Sequence, residues 1–171
     1  MYQWRVTKYN PRSRNRKGAY LAEDWTSVSD IGDTFNNHQL ELDAYLAVEN
    51  NYVSTAMQFL KESGLSSLYV VELETDAAIP SIVKEIGLDK LLYESSEIYE
   101  KKQVYGKEIE RICRLNLRNL TWCKLEEKGK FFIHFGYDYY MYIGSFVACI
   151  NSIIYAQKVD LFVEKIKSPY Y

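Results

Sequence analysis

One long helical seam constrains the fold more than any other feature. From Leu40 to Ser63 apolar residues recur at spacings of three and four, through Leu42, Tyr45, Leu46, Val53, Ala56, Met57 and Leu60, and Gly64 follows as a stop. A helix with such a stripe must bury it against another layer. Glu49 falls on the same seam, in register with 42, 46, 53, 56 and 60. A carboxylate there either reaches water at the margin or pairs with an Arg or Lys from elsewhere; structural pairing is expected ahead of a catalytic role.

The other layer is legible as strands. Gln3 to Lys8 alternates and suits a short strand before Asn10-Pro11, and Leu68 to Leu73 (LYVVEL) reads as a buried strand. Pro80 and Gly87 bracket a short helix, Leu91 to Tyr105 is weakly helical, and Lys107 to Leu120 is a second amphipathic helix. Thr121 to Glu126 and Lys130 to Phe135 flank a Lys128-Gly129 turn, with Phe131, Ile133 and Phe135 toward the core and Phe132 and His134 opposite. Tyr139 to Ile143 reads as a strand with at most one core face, Phe146 to Ala156 as a helix, and Leu161 to Ile166 as a last strand. The expectation is α+β, a largely antiparallel sheet with helices packed on one side, in a single domain spanning residues 1–171.

Several chemistries find no support. The three cysteines, Cys113, Cys123 and Cys149, form no CxxC pair and have no histidines near enough for a zinc pattern, so they read as reduced, small apolar residues. The two histidines are His38 and His134, too few for a Ser/His/Asp order, and His134 is expected to be a hydrogen-bonded sheet residue. No GxGxxG, P-loop or HExxH pattern occurs, and no cofactor, metal or catalytic residue is expected. The opening MYQWRVTKYN lacks a signal-peptide pattern, which points to the cytoplasm. Tyr139 to Gln157 carries no charge, yet its tyrosines, serines and Gly144 argue against a membrane span.

Charge is segregated along the chain. Residues 1–22 hold six bases and no acid, whereas residues 23–60 hold seven acids and no Lys or Arg. Either the basic loop packs back on the acidic block or is simply solvated, or one block meets a partner of opposite charge. Lys107, Arg111, Arg114 and Arg118 align on one helix face, which reads first as a solvated stripe and second as a grip for phosphates. Tyrosine is the distinctive residue, 16 of 171, and supplies amphipathic contact area at low conformational cost.

The segments WRVTKYNPRSRNRKGAYLAEDWTSVSDIG and FFIHFGYDYYMYIGS resemble small bacterial proteins, chiefly Gram-positive, associated with the immunity partners of polymorphic toxins. The resemblance runs from Trp4 through Tyr170 and brings no catalytic motif and no binding residues. It implies a cytoplasmic, non-catalytic inhibitor that binds the catalytic domain of a cognate toxin. A nuclease must present cations to phosphate, so Glu23, Asp24, Asp30, Asp33, Glu41 and Asp43 are the candidate partner-binding carboxylates, with an exposed ring among Tyr139, Tyr140 and Tyr142. The alternative is nucleic-acid binding through the basic segment 12–17 and the Arg111/Arg114/Arg118 stripe, against which the acidic pI of about 5.8 counts. An enzyme using His134 or Glu49 ranks last.

Overall fold

The long seam does meet a sheet. In the computed structural model, which describes residues 1–74, 79–93 and 97–171, β1 (Tyr2–Thr7) leads into a loop with two 3-10 turns, Pro11–Ser13 and Val28–Asp30. A small hairpin follows, β2 (Thr34–Phe35) and β3 (His38–Gln39), and then α1 (Leu42–Glu62), β4 (Ser67–Glu74) and α2 (Ser81–Glu85). After a 3-10 turn at Leu88–Leu92 come β5 (Gln103–Tyr105), α3 (Gly106–Leu117), β6 (Trp122–Glu127), β7 (Phe131–Phe135), β8 (Met141–Ser145), α4 (Ile150–Lys158) and β9 (Phe162–Glu164).

Seven strands form one antiparallel sheet in the order β5-β4-β6-β7-β8-β1-β9. On one face Trp4, Val6, Leu68, Val70, Leu125, Ile133 and Ile143 pack beneath Tyr52, Ala56 and Phe59 of α1 and Ile109 and Ile112 of α3 in a single core. The fold is α+β, as the alternation and the helical seams predict. α1 ends where Gly64 adopts φ +72°, donating to Lys61 O while Leu65 N reaches back to Leu60 O, the paired bonds of a Schellman stop.

The opposite face is also covered, which the sequence pattern does not anticipate. The segment from Ser168 to Tyr171 lies across it: Ser168 meets His134, Tyr170 packs edge-on against Trp122 at 6.0 Å and Tyr142 at 5.8 Å, and Tyr171 lies 5.1 Å from Phe132. Phe132 gains its space because its cross-strand neighbour is Gly144, at which a Cβ would collide with the Phe132 ring. All of Phe131–Phe135 is consequently buried, and the expectation of one core face for the tyrosine-rich strand does not hold.

Two element assignments are corrected. Within Leu91 to Tyr105 the helical expectation fails at Gln103–Tyr105, which forms edge strand β5 against Ser67–Tyr69 and buries Val104; residues 94–96 lie outside the described residues. Phe146 is not helical but precedes α4, whose first residue is Ile150. The hairpin at 34–39 has its two-residue turn at Asn36 and Asn37, with φ of +48° and +64°, the left-handed pair that closes tight hairpins and that asparagine tolerates.

Candidate functional site

The groups that the sequence offers to chemistry are largely occupied within the fold. Glu49 is fully buried in α1, and Arg118 donates to it through Nε to Oε1 at 2.6 Å and Nη2 to Oε2 at 2.8 Å, while Arg114 Nη1 reaches Oε2 at 2.7 Å. The structural pairing expected for Glu49 is therefore present. The solvated stripe is not: Arg111 and Arg118 are each only 7% exposed. The 3-10 turn at Leu88–Leu92 leaves carbonyls that need donors, and the two guanidiniums supply them, Arg118 to Leu88 O at 3.0 Å and Arg111 to Leu91 O and Leu92 O at 2.9 and 3.1 Å.

His134 is fully buried on β7 and bonded at both ring nitrogens, Nε2 to Glu126 Oε1 at 2.8 Å and Nδ1 to Ser168 Oγ at 3.1 Å. Tyr170 N donates to the same Ser168 oxygen at 3.2 Å. One hydrogen arrangement satisfies the chain of bonds: the serine hydroxyl donates to Nδ1 and a neutral imidazole donates from Nε2 to the carboxylate. Burial lowers the His134 pKa, and the hydrogen bond from His134 lowers that of Glu126. The three side chains resemble a hydrolase triad in composition, but Ser168 is buried in the covering segment and none of the three lines the four clefts described among residues 1–74, 79–93 and 97–171. The His134–Ser168 bond ties that segment to the sheet.

The cysteines are free and buried; burial pushes the Cys123 thiol up to about 11 and raises Cys113 further, which opposes nucleophilic chemistry. Among the described residues no cluster of His, Cys, Asp or Glu has the makings of a metal site.

The acidic block divides in two. Asp24 pairs with Lys8 at 2.7 Å, and the ammonium lies 4.2 and 4.0 Å from the ring centroids of Tyr9 and Trp25. Asp30 closes a capping box, accepting from Thr26 N at 2.7 Å and Ser27 N at 3.0 Å. Both carboxylates, partner-binding candidates by sequence, are thus also engaged within the fold. Glu23, Asp33, Glu41 and Asp43 are exposed, and none has an ion-pair partner among the described residues. The hairpin links the backbone segments that carry them: Asn36 Nδ2 donates to Glu23 O at 2.7 Å, Leu40 N to Asp33 O at 2.8 Å, and Glu41 and Asp43 follow at the start of α1.

The tyrosine expectation is corrected more fully. Tyr139 has φ +62° in the turn before β8 and is buried, its ring edge-on to Trp25 at 4.8 Å and Tyr52 at 5.1 Å. Tyr142 is buried beneath Tyr170, and Tyr140 is half-buried, its hydroxyl accepting from Arg14 Nη1 at 2.9 Å. The ring that does face solvent is their neighbour Tyr137, 86% exposed. An aromatic residue placed in a turn was its available signal. Also unforeseen is an exposed apolar strip, Phe146, Val147, Ile150 and Ile154. Its clue was a helix apolar on more than one face, only one of which the core can take.

Around Tyr137 lie two adjoining clefts of about 210 and 390 Å³ that share Asn119, Trp122 and Tyr137. Of the chain's helices, none among the described residues is long and apolar enough to cross a membrane. Comparison with protein-family models, with curated proteins and with solved structures gives no match for this chain.

Proposed function

We propose that this chain is a non-catalytic binding protein, an immunity protein that neutralises a cognate bacterial toxin, a nuclease, by covering its catalytic domain in the cytoplasm. The observation that carries the proposal is the set of four exposed carboxylates, Glu23, Asp33, Glu41 and Asp43, carried on the segments that flank a hairpin and start a helix and lacking ion-pair partners among the described residues. Carboxylates held this way leave their field available to a basic surface, such as that with which a nuclease holds phosphate, and complementary charge of that kind steers encounter and sets specificity. The apolar strip on and before α4 supports binding in general, since contiguous exposed apolar residues mark contact surfaces. Against an enzyme stands the consumption of Glu49 and His134 in internal bonds.

The test is co-expression with the toxin domain encoded beside the gene, scoring growth. The wild type is expected to restore growth, and Asp33→Lys with Glu41→Lys to restore it less well at low expression. Failure of the wild type against every such neighbouring toxin would end the proposal.

A further inference from the structure

We infer that the twin clefts around Tyr137 receive an arginine side chain of a protein partner, which deepens the binding function proposed above and rests on it.

The inference begins with how Tyr137 is held. Asp138 and Tyr139 both take left-handed conformations, φ +57° and +62°, which an ordinary side chain adopts at a cost. The anchor is Tyr139, whose ring is locked among Trp25, Tyr45 and Tyr52, while Gly136 N donates to Tyr140 O at 2.8 Å across the loop. Tyr137 is thus displayed on a turn fixed from beneath, so little order remains to be imposed on binding. A nearly fully exposed aromatic ring on a rigid support, beside a cavity, is the form that an interaction anchor takes.

The lining then selects the guest. Asp138 and Ser27 border the smaller cleft, Glu74 and Thr121 the larger, and Asn119 and Trp122 both. Among the described residues no Lys or Arg lines either one, and neither Asp138 nor Glu74 has an ion-pair partner. Such walls repel a phosphate or carboxylate and favour a cation. The indole N–H of Trp122 is already spent on Phe135 O at 3.1 Å, so this ring offers area and not a donor. A guanidinium fits these terms better than an ammonium, because it stacks on ring faces, is weakly hydrated and spreads five donors over acceptors that need not coincide. The volumes, about 210 and 390 Å³, fall below and near the bottom of the range of small-molecule sites, about 300 to 1,000 Å³, and leave room for a side chain but not for a large cofactor.

The experiment needs no toxin, so its outcome is separable from that of the growth test. The probes are capped arginine (N-acetyl-arginine-N-methylamide), its uncharged isostere capped citrulline, and methyl N-acetylglucosaminide, each titrated into the 15N-labelled protein at constant ionic strength while the Trp122 indole N–H resonance is followed. Capped arginine should shift that resonance saturably and citrulline should shift it at least tenfold less at equal concentration. Tyr137→Ala should abolish the shift, and Asp138→Asn or Glu74→Gln should weaken it severalfold; an otherwise unchanged spectrum shows that each variant folds. No saturable shift with capped arginine overturns the inference. So does an equal response to citrulline, a stronger response to the sugar, or arginine binding that Tyr137→Ala leaves intact.

Discussion

Arg118 clasps Glu49 with two parallel hydrogen bonds, at 2.6 and 2.8 Å, and the carboxylate they hold has no contact with solvent. The pair joins α1 to the residue that caps α3, and Arg118 Nη1 reaches Leu88 O, so three elements meet at one ion pair. Glu49→Ala should therefore destabilise the protein by roughly 3 to 5 kcal/mol, the usual cost of stranding a buried charge. The double variant Glu49→Met with Arg118→Met should recover a good part of that loss. Urea denaturation of the three proteins checks it; a single-variant cost below about 1 kcal/mol would show that the pair is not a clamp.

Gly144 leaves room for the Phe132 ring on the covered face of the sheet. Gly144→Ala should cost about 1 to 3 kcal/mol by overpacking, and adding Phe132→Leu should return part of it. Additive losses in thermal denaturation would mean that the ring and the glycine are not coupled.

Acid should loosen the covering segment in two stages. The folded pKa of His134 lies below its ordinary 6.5 because of burial, so between that folded value and 6.5 the unfolded chain binds more protons and stability falls as pH drops. The Glu126 carboxyl is likewise held below its ordinary 4.5, chiefly by the hydrogen bond from His134, so its contribution is present above 4.5 and is lost as pH falls through its folded value. Denaturation midpoints followed from pH 8 to well below 4.5 should show both declines. His134→Gln should flatten the first, and an unchanged profile in that variant would refute the assignment.

Asp30 and Asp33 should separate structure from recognition. Asp30→Ala removes a capping acceptor and should cost about 0.5 to 2 kcal/mol of stability. Asp33→Lys, on an exposed carboxylate, should change stability by no more than about 0.5 kcal/mol. In surface-binding kinetics with the toxin it should slow association and leave dissociation nearly unchanged. A change confined to dissociation would place Asp33 inside the contact and not in the field around it.

Nucleic-acid binding is the competing function, and the Arg111/Arg118 part of its surface is spent on Glu49 and on backbone carbonyls. Arg12, Arg16 and Lys17 remain exposed, whereas Arg14 donates to Gly18 O and Tyr140. The protein should pass a duplex-DNA column at about 50 mM salt, where a protein that contacts several phosphates is held tightly. Retention that is lost in Arg12→Glu with Arg16→Glu would reverse this expectation.

Local pattern was enough for the elements whose burial repeats at a fixed period. The seam of α1 with its Gly64 stop, the Phe131, Ile133, Phe135 alternation and the need of Glu49 for a cation are all written at spacings of two to four residues, and short-range geometry turns them directly into faces. β5 was not legible, because Gln103–Tyr105 becomes a strand only through the free edge of β4. Nor could period separate Tyr137 from Tyr139 and Tyr142. All four tyrosines from 137 to 142 sit in one aromatic run, and their exposure depends on two left-handed residues and on a segment some thirty residues later that lies over the sheet. The arginine stripe failed for the same reason. Its helical spacing was correct, but whether a guanidinium meets water or a carbonyl depends on what the distant chain brings, and that is decided only when the whole surface has been assembled.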